Sequence, residues 1–82
     1  MMIVLFFEHS NQMTELAILL GQKIRKARLE KNLSQEKLAL ICGLDRSYMG
    51  RIERGEVNIT VLKLYEIAQI LKVAPHDLLP KD

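Results

Sequence analysis

Basic side chains concentrate in the middle of the sequence. Residues 23–54 carry nine of them against four acidic ones, a net charge of +5, whereas the rest of the chain has a net charge of −3. Clustered cations attract polyanions, so this distribution indicates a surface for such a partner. The alternative is a solvated helix face without a partner. The nine basic residues are Lys23, Arg25, Lys26, Arg28, Lys31, Lys37, Arg46, Arg51 and Arg54.

Residues that could support catalysis are few and far apart in the sequence. His9 and His76 are near opposite ends, and Cys42 occupies an apolar position of a predicted helix. Neither a glycine-rich phosphate loop nor a metal-ligand spacing occurs in the sequence. We therefore expect no enzyme, and also no cofactor, metal or small-molecule ligand. A single cysteine precludes an internal disulfide, which is typical of cytoplasmic proteins.

The length of 82 residues allows one domain. A domain of this size buries only about 60–65% of the surface of its unfolded chain, so dimerisation is a common source of added stability. The longest apolar run, residues 1–7, is too short to span a membrane, and no small-residue cleavage site of a secretory signal follows it. We expect a soluble cytoplasmic protein without a membrane partner.

Residues 1–12 form an apolar string followed by polar residues, without a helical period. The run Ile3–Phe7 favours a short strand, which would need a partner chain or a groove for its backbone. Alternatively, translation starts at Met13 and these residues have little effect. We treat 1–12 as an apolar N-terminal extension and 13–82 as the folded domain.

Apolar periodicity predicts helices in the rest of the chain. The first covers residues 14–31, with Thr14 as its N-cap and Asn32 ending it in the left-handed conformation. Leu16, Leu20, Ile24 and Ala27 are its buried stripe. Three more helices start at the N-caps Ser34, Asp45 and Thr60, and glycine stops follow two of them at Gly43 and Gly55. Pro75 suits the first turn of a last short helix over 75–79. The apolar residues expected inside are Leu38, Ala39, Cys42, Met49, Ile52, Leu62, Leu64, Ile67, Ala68 and Leu71.

Residues 34–55 place two short helices around a tight turn that contains Gly43. Such a turn allows the helices to cross at about 90–120°, and the small Ala39 allows their backbones to approach. The second helix has polar side chains at its N-terminal end, which can enter a major groove of DNA. This segment therefore predicts a helix-turn-helix unit.

Three stretches of this segment resemble the Cro/repressor (XRE-like) helix-turn-helix family. They are Ser-Gln-Glu-Lys-Leu-Ala at 34–39, Gly-Leu-Asp-Arg-Ser-Tyr-Met at 43–49 and Ile-Glu-Arg-Gly at 52–55. Asp-Arg-Ser-Tyr at 45–48 and Asn-Ile-Thr at 58–60 are similar to controller proteins of restriction–modification systems. The resemblance covers about residues 16–79 and implies an all-α, five-helix fold of the lambda-repressor type. It also implies a transcriptional regulator that binds double-stranded DNA.

The resemblance further implies roles for single residues. Arg46, Ser47 and Arg51 match positions that face base edges, where arginine can bind guanine through two hydrogen bonds. Three residues match positions near the phosphate backbone, namely Gln35, Tyr48 and Arg54. For each of the six, the alternative is an ordinary surface or packing role. Gly50 departs from the family, in which many relatives carry a longer polar residue there.

Arg28 and Glu53 match a buried ion pair that joins the first and third helices in this family, so we assign both to structure. We expect a homodimer that places two recognition helices in successive major grooves, about 34 Å apart, on a pseudo-palindromic operator. The expected interface residues are Tyr65, Val73, Leu78 and Leu79. The alternative function is a protein-interaction module resembling an antitoxin, against which the basic cluster argues.

Overall fold

The computed structural model describes the backbone of residues 2–80 and the side chains of residues 14–80. The helices of the described chain are joined by turns and loops, and no strand occurs among the described residues, which confirms the all-α class. Its elements are α1 (Met2–Glu30), α2 (Gln35–Cys42), α3 (Arg46–Glu53), α4 (Val61–Leu71) and a short 3-10 helix (Pro75–Leu78).

The strand expected at residues 3–7 is wrong, because α1 begins at Met2 and continues to Glu30 without a break. Thr14 therefore lies inside a helix and is not an N-cap. No glycine or proline occurs between residues 2 and 20, so nothing interrupts the helical hydrogen bonds. Adding turns to an existing helix needs no new nucleus and satisfies backbone groups that a lone strand leaves unpaired. Among the described helices, none combines the length and the apolar character needed to cross a membrane.

The starts of the other helices follow the predicted capping residues. Ser34 Oγ accepts a hydrogen bond from the Lys37 N–H at 2.9 Å, and Thr60 Oγ1 accepts one from the Lys63 N–H at 3.1 Å. Each bond satisfies a backbone donor that the first turn leaves free. Asp45 occupies the N-cap position of α3, but its side chain makes no capping hydrogen bond.

Each of the four α-helices in the described chain ends in the same backbone arrangement. One residue takes a positive φ, and the next N–H donates to the carbonyl five residues earlier, which is the Schellman motif. The left-handed residues are Asn32, Gly43, Gly55 and Lys72. The sequence predicts left-handed ends at Asn32, Gly43 and Gly55, whereas a lysine carries no local signal for this conformation.

The core lies where the helices meet and is formed by the apolar faces predicted from the sequence, with two exceptions. Its largest fully buried side chains are Ile24, Leu38, Met49, Ile67, Leu71 and Leu78. Leu62 was expected inside but is 83% exposed, because it lies about 200° around α4 from the buried Leu64. Leu16 is also exposed, at the edge of an open groove beside Leu79.

Gly21 marks the place where α1 and α3 come closest. A Cβ atom at Gly21 would lie 2.5 Å from the carbonyl oxygens of both Ile52 and Glu53. Both obstacles are backbone atoms, so they cannot move aside as a side chain could. Glycine at this position therefore brings the C-terminal end of α3 against α1, a role that the sequence analysis missed.

Candidate nucleic-acid interface

The turn between α2 and α3 sets the orientation of the recognition helix. Gly43 donates its N–H to the Leu40 carbonyl at 3.1 Å, and the Leu44 N–H donates to the Ala39 carbonyl at 2.8 Å. Ala39 is buried in the core, and Leu44 packs partly against it. The positive φ of Gly43 closes this turn in a conformation that other residues rarely adopt.

The outer face of α3 carries the residues predicted to read bases. Arg46, Ser47 and Arg51 are all exposed, whereas Met49 and Ile52 on the opposite side are buried. Ser47 and Arg51 are four residues apart, so they lie above one another on one helix face. An α-helix with its side chains is about 10–12 Å across, so α3 can enter the major groove of DNA, which is about 12 Å wide.

Behind this face, a buried polar network links three helices. Arg28 on α1 donates from Nε to Glu53 Oε2 at 2.7 Å and from Nη2 to Glu53 Oε1 at 3.0 Å. Its Nη1 donates to the Leu33 carbonyl at 2.8 Å. Among the described side chains, no buried polar atom lacks a partner. The network therefore holds the C-terminal end of α3 against α1 with its charges compensated.

Gln35 joins the same network from α2. Its Nε2 donates to Glu53 Oε1 at 3.0 Å, although the two residues are 18 apart in the sequence. Gln35 is half-buried at the first turn of α2, where backbone N–H groups without helical partners can bind an anion. The bond to Glu53 thus orients the side chain that was predicted to contact phosphate. The sequence analysis did not predict this bond.

Gly50 lies next to the side chains of Arg54 and Gln35, two of the residues predicted to contact phosphate. A Cβ atom there would be 3.0 Å from Arg54 Nη1 and 3.4 Å from Gln35 Oε1. The absence of a side chain therefore lets the Arg54 guanidinium and the Gln35 amide rest against the α3 backbone. This arrangement is a physical reason for a glycine inside the recognition helix. Tyr48, the third residue predicted near the phosphates, is half-buried.

An acidic residue that the sequence analysis did not single out lies beside this face. Arg54 Nε and Nη2 donate to the Glu56 carboxylate at 2.7 and 3.4 Å, and Arg51 Nε lies 3.8 Å from Glu56 Oε1. The hydrogen bond from Arg54 is the largest effect and lowers the pKa of the Glu56 carboxyl. Desolvation, the next largest effect, raises this pKa, and the charges of Arg54 and Arg51 lower it, so that the pKa is lowered overall. Glu56 is therefore ionised at neutral pH.

The residues expected at a dimer interface do not form one surface. Leu78 is wrong as an interface residue, because its side chain is 1% exposed within a single chain. Tyr65 is exposed, and it lines an open groove together with Val73 and the exposed Leu62. Leu79 lies in a different groove, beside Leu16.

Comparisons with known proteins agree with this geometry. The helix-turn-helix family model matches residues 24–78, two thirds of the chain. Control protein C.BamHI of Bacillus amyloliquefaciens is 49% identical over 63 residues, which cover 76% of this chain and 78% of that protein. Control protein C.SmaI of Serratia marcescens is 41% identical over 63 residues, which cover 77% of this chain and 75% of that protein.

A solved structure shows the same fold. The crystal structure of the restriction-modification controller protein C.AhdI from Aeromonas hydrophila matches with a TM-score of 0.73 and 41% identity. The match covers 77% of this chain and 91% of that one. The chain therefore belongs to the helix-turn-helix (XRE-type) family of DNA-binding transcriptional regulators, which confirms the resemblance carried by residues 34–55.

Proposed function

We propose that this protein regulates transcription by binding a pseudo-palindromic operator as a homodimer, and that the operator lies upstream of its own gene in a restriction–modification operon. The observation that carries the proposal is the outward face of α3, where Arg46, Ser47 and Arg51 are exposed opposite the core. The names of the relatives C.BamHI, C.SmaI and C.AhdI support the restriction–modification context. The proposed role is not enzymatic, and its site is the cytoplasm.

Base readout in this proposal depends on a rigid recognition helix. Arg46 and Arg51 supply guanidinium groups that suit the O6 and N7 acceptors of guanine, and Ser47 supplies a hydroxyl. The buried pair of Arg28 and Glu53 holds α3 in place before DNA is bound. Little ordering of the α3 backbone is then needed when DNA binds, so more of the contact energy contributes to affinity.

Phosphate binding in this proposal positions the protein without reading sequence. Gln35 and the free amides at the start of α2 lie at the edge of the α3 face, where a phosphate would approach. Arg54 adds a cation near Gln35, since a Cβ atom at Gly50 would lie 3.0 Å from Arg54 Nη1 and 3.4 Å from Gln35 Oε1. Because these contacts displace counterions, the affinity for any duplex falls as the salt concentration rises.

The groove on α4 supports a two-fold dimer. Leu62 and Tyr65 are large exposed apolar side chains, and Val73 lies beside them. A symmetric dimer uses the same patch on both chains, so apolar side chains of one chain would cover those of the other. The proposed operator requires such a dimer to present its two α3 helices one DNA turn apart.

Fluorescence anisotropy with the duplex upstream of the gene tests the proposal, with a scrambled duplex as its control, at two salt concentrations. We expect tight binding to the natural duplex and much weaker binding to the scrambled one, with both weakened by salt. Equal, weak binding to both duplexes would contradict the proposal. It would favour a protein-interaction module in its place.

A further inference from the structure

The backbone holds Glu56 in a defined place at the end of the recognition helix. Its N–H donates to the Arg51 carbonyl at 2.9 Å, as the last bond of the Schellman motif that ends α3. The preceding Gly55 has a φ of +75°, and a Cβ atom there would lie 2.5 Å from Ile18 Cα. The segment that carries Glu56 is therefore packed directly against α1, beside Arg51.

The ion pairs of Glu56 contribute little to folding. The Arg51, Arg54 and Glu56 side chains are each about half exposed. Exposed ion pairs of this kind add little to stability, because solvent screens the attraction and holding two long side chains in one geometry costs entropy. The main effect of Glu56 is therefore on the electrostatics of the DNA-facing surface.

A carboxylate at this place uses the donors that a DNA phosphate would use. Carboxylate and phosphate oxygens bind guanidinium groups in the same way, so Glu56 and DNA compete for Arg54. Arg51 is held differently, because the distance of 3.8 Å from its Nε to Glu56 Oε1 is too long for a hydrogen bond. Its two terminal nitrogens can still bind the O6 and N7 acceptors of a guanine. Among the described residues, Arg46 has no such acidic partner.

We propose that Glu56 is a specificity-determining residue, which competes with DNA phosphates for Arg54 and orients Arg51 toward a base. The inference rests on the proposed function. Binding to nonspecific DNA depends almost entirely on attraction to phosphates. The negative charge of Glu56 therefore weakens this binding, and no base contact offsets the loss. Binding to the operator also draws on base contacts from Arg46, Ser47 and Arg51, which Glu56 leaves in place or assists. Glu56 therefore widens the difference in affinity between operator and nonspecific DNA.

The test compares Glu56→Gln with Glu30→Gln, which removes the same charge from an exposed residue next to Val73 and Leu78, near the C-terminal end of the fold. We expect Glu56→Gln to bind a nonspecific duplex about threefold more tightly or better, with a salt slope steeper by about 0.9 for the one additional phosphate contact. Operator affinity should stay constant or fall, so the ratio of the two affinities decreases. Circular dichroism checks that both variants are folded.

A measurement without DNA tests the contact between Arg54 and Glu56 independently of DNA binding. The Nε–H resonance of Arg54 in a ¹⁵N-edited spectrum should shift in Glu56→Gln and remain in place in Glu30→Gln. If the wild type discriminates between the duplexes but both variants have the same ratio of operator to nonspecific affinity, the proposed role of Glu56 is wrong. The proposed function would not be affected by this result. A wild-type protein that binds neither duplex would overturn the proposed function and this role with it.

Discussion

Arg28 and Glu53 join α1 to α3 through two hydrogen bonds of 2.7 and 3.0 Å, and their side chains are only 8% and 2% exposed. Removal of one partner leaves a buried charge uncompensated. We expect Arg28→Met to lower the free energy of unfolding by about 3–5 kcal/mol. Urea denaturation followed by circular dichroism measures the loss.

The matched control for Arg28→Met is Arg54→Met, which breaks an exposed arginine–glutamate pair of the same length. The control should lose much less stability, because solvent screens the charges of an exposed pair. If both variants lost the same small amount, the buried pair would not be the structural link that we describe.

Gly21 tests the close approach of α1 and α3. Gly21→Ala adds a methyl group 2.5 Å from two backbone oxygens, so the helices must separate. We expect a loss of about 1–3 kcal/mol from overpacking, although alanine favours the helix by about 1 kcal/mol over glycine. Gln22→Ala, at the next and exposed position, should change stability by less than about 0.5 kcal/mol. A stabilised Gly21→Ala variant would contradict the packing.

Arg46 tests base readout. Arg46→Ala should reduce discrimination against the wrong base at one operator position by about 1–3 kcal/mol in each half-site. Arg25→Ala removes an exposed arginine from α1 and should leave the base preference unchanged. Competition binding with single-base variants of the operator measures both effects. Full discrimination by Arg46→Ala would show that this arginine does not read a base.

Tyr65 tests the proposed dimer. Its side chain is 58% exposed, so Tyr65→Glu places a charge in the α4 groove without disturbing the core. We expect a monomer in sedimentation velocity, whereas Leu40→Glu on the exposed side of α2 should remain dimeric. A dimer that persists in Tyr65→Glu would exclude this groove as the interface. Leu78→Glu is unsuitable for this test, because a charge in the core would unfold the chain.

The buried thiol of Cys42 should make the free energy of unfolding fall at alkaline pH. Burial raises the pKa of its thiol above the ordinary 9.0, with Glu66 raising it further and Lys63 opposing. The folded state therefore retains the proton more strongly than the unfolded state does. This contribution to stability is fully present below pH 9.0 and is lost as the pH rises through the folded-state pKa.

The measurement for Cys42 is the free energy of unfolding from neutral to alkaline pH, in the wild type and in Cys42→Ala. Other groups also titrate in this range, so the difference between the two curves isolates the thiol. The wild type should lose stability more steeply above pH 9.0 than the variant. Parallel curves would show that the thiol is not desolvated as the structure indicates.

Local features of the sequence were enough to predict where α2, α3 and α4 begin and end. They were also enough to predict the family. The hydroxyls of Ser34 and Thr60 bond to backbone groups three residues away, and Gly43 and Gly55 permit the positive φ that ends α2 and α3. Such interactions involve neighbours along the chain, so a single stretch of sequence is enough to predict them. The exposed side of α3 followed from helical spacing in the same way.

Packing decided the features that join residues far apart in the chain. The bond from Gln35 to Glu53 and the fit of Gly21 against the end of α3 depend on how the helices pack together. The burial of Leu78 depends on it too, because an apolar residue can face a core or a partner equally well. The place of Glu56 beside Arg51 and Arg54 depends on the turn that ends α3. A contact between two side chains needs both positions in space, and the tertiary structure alone supplies them.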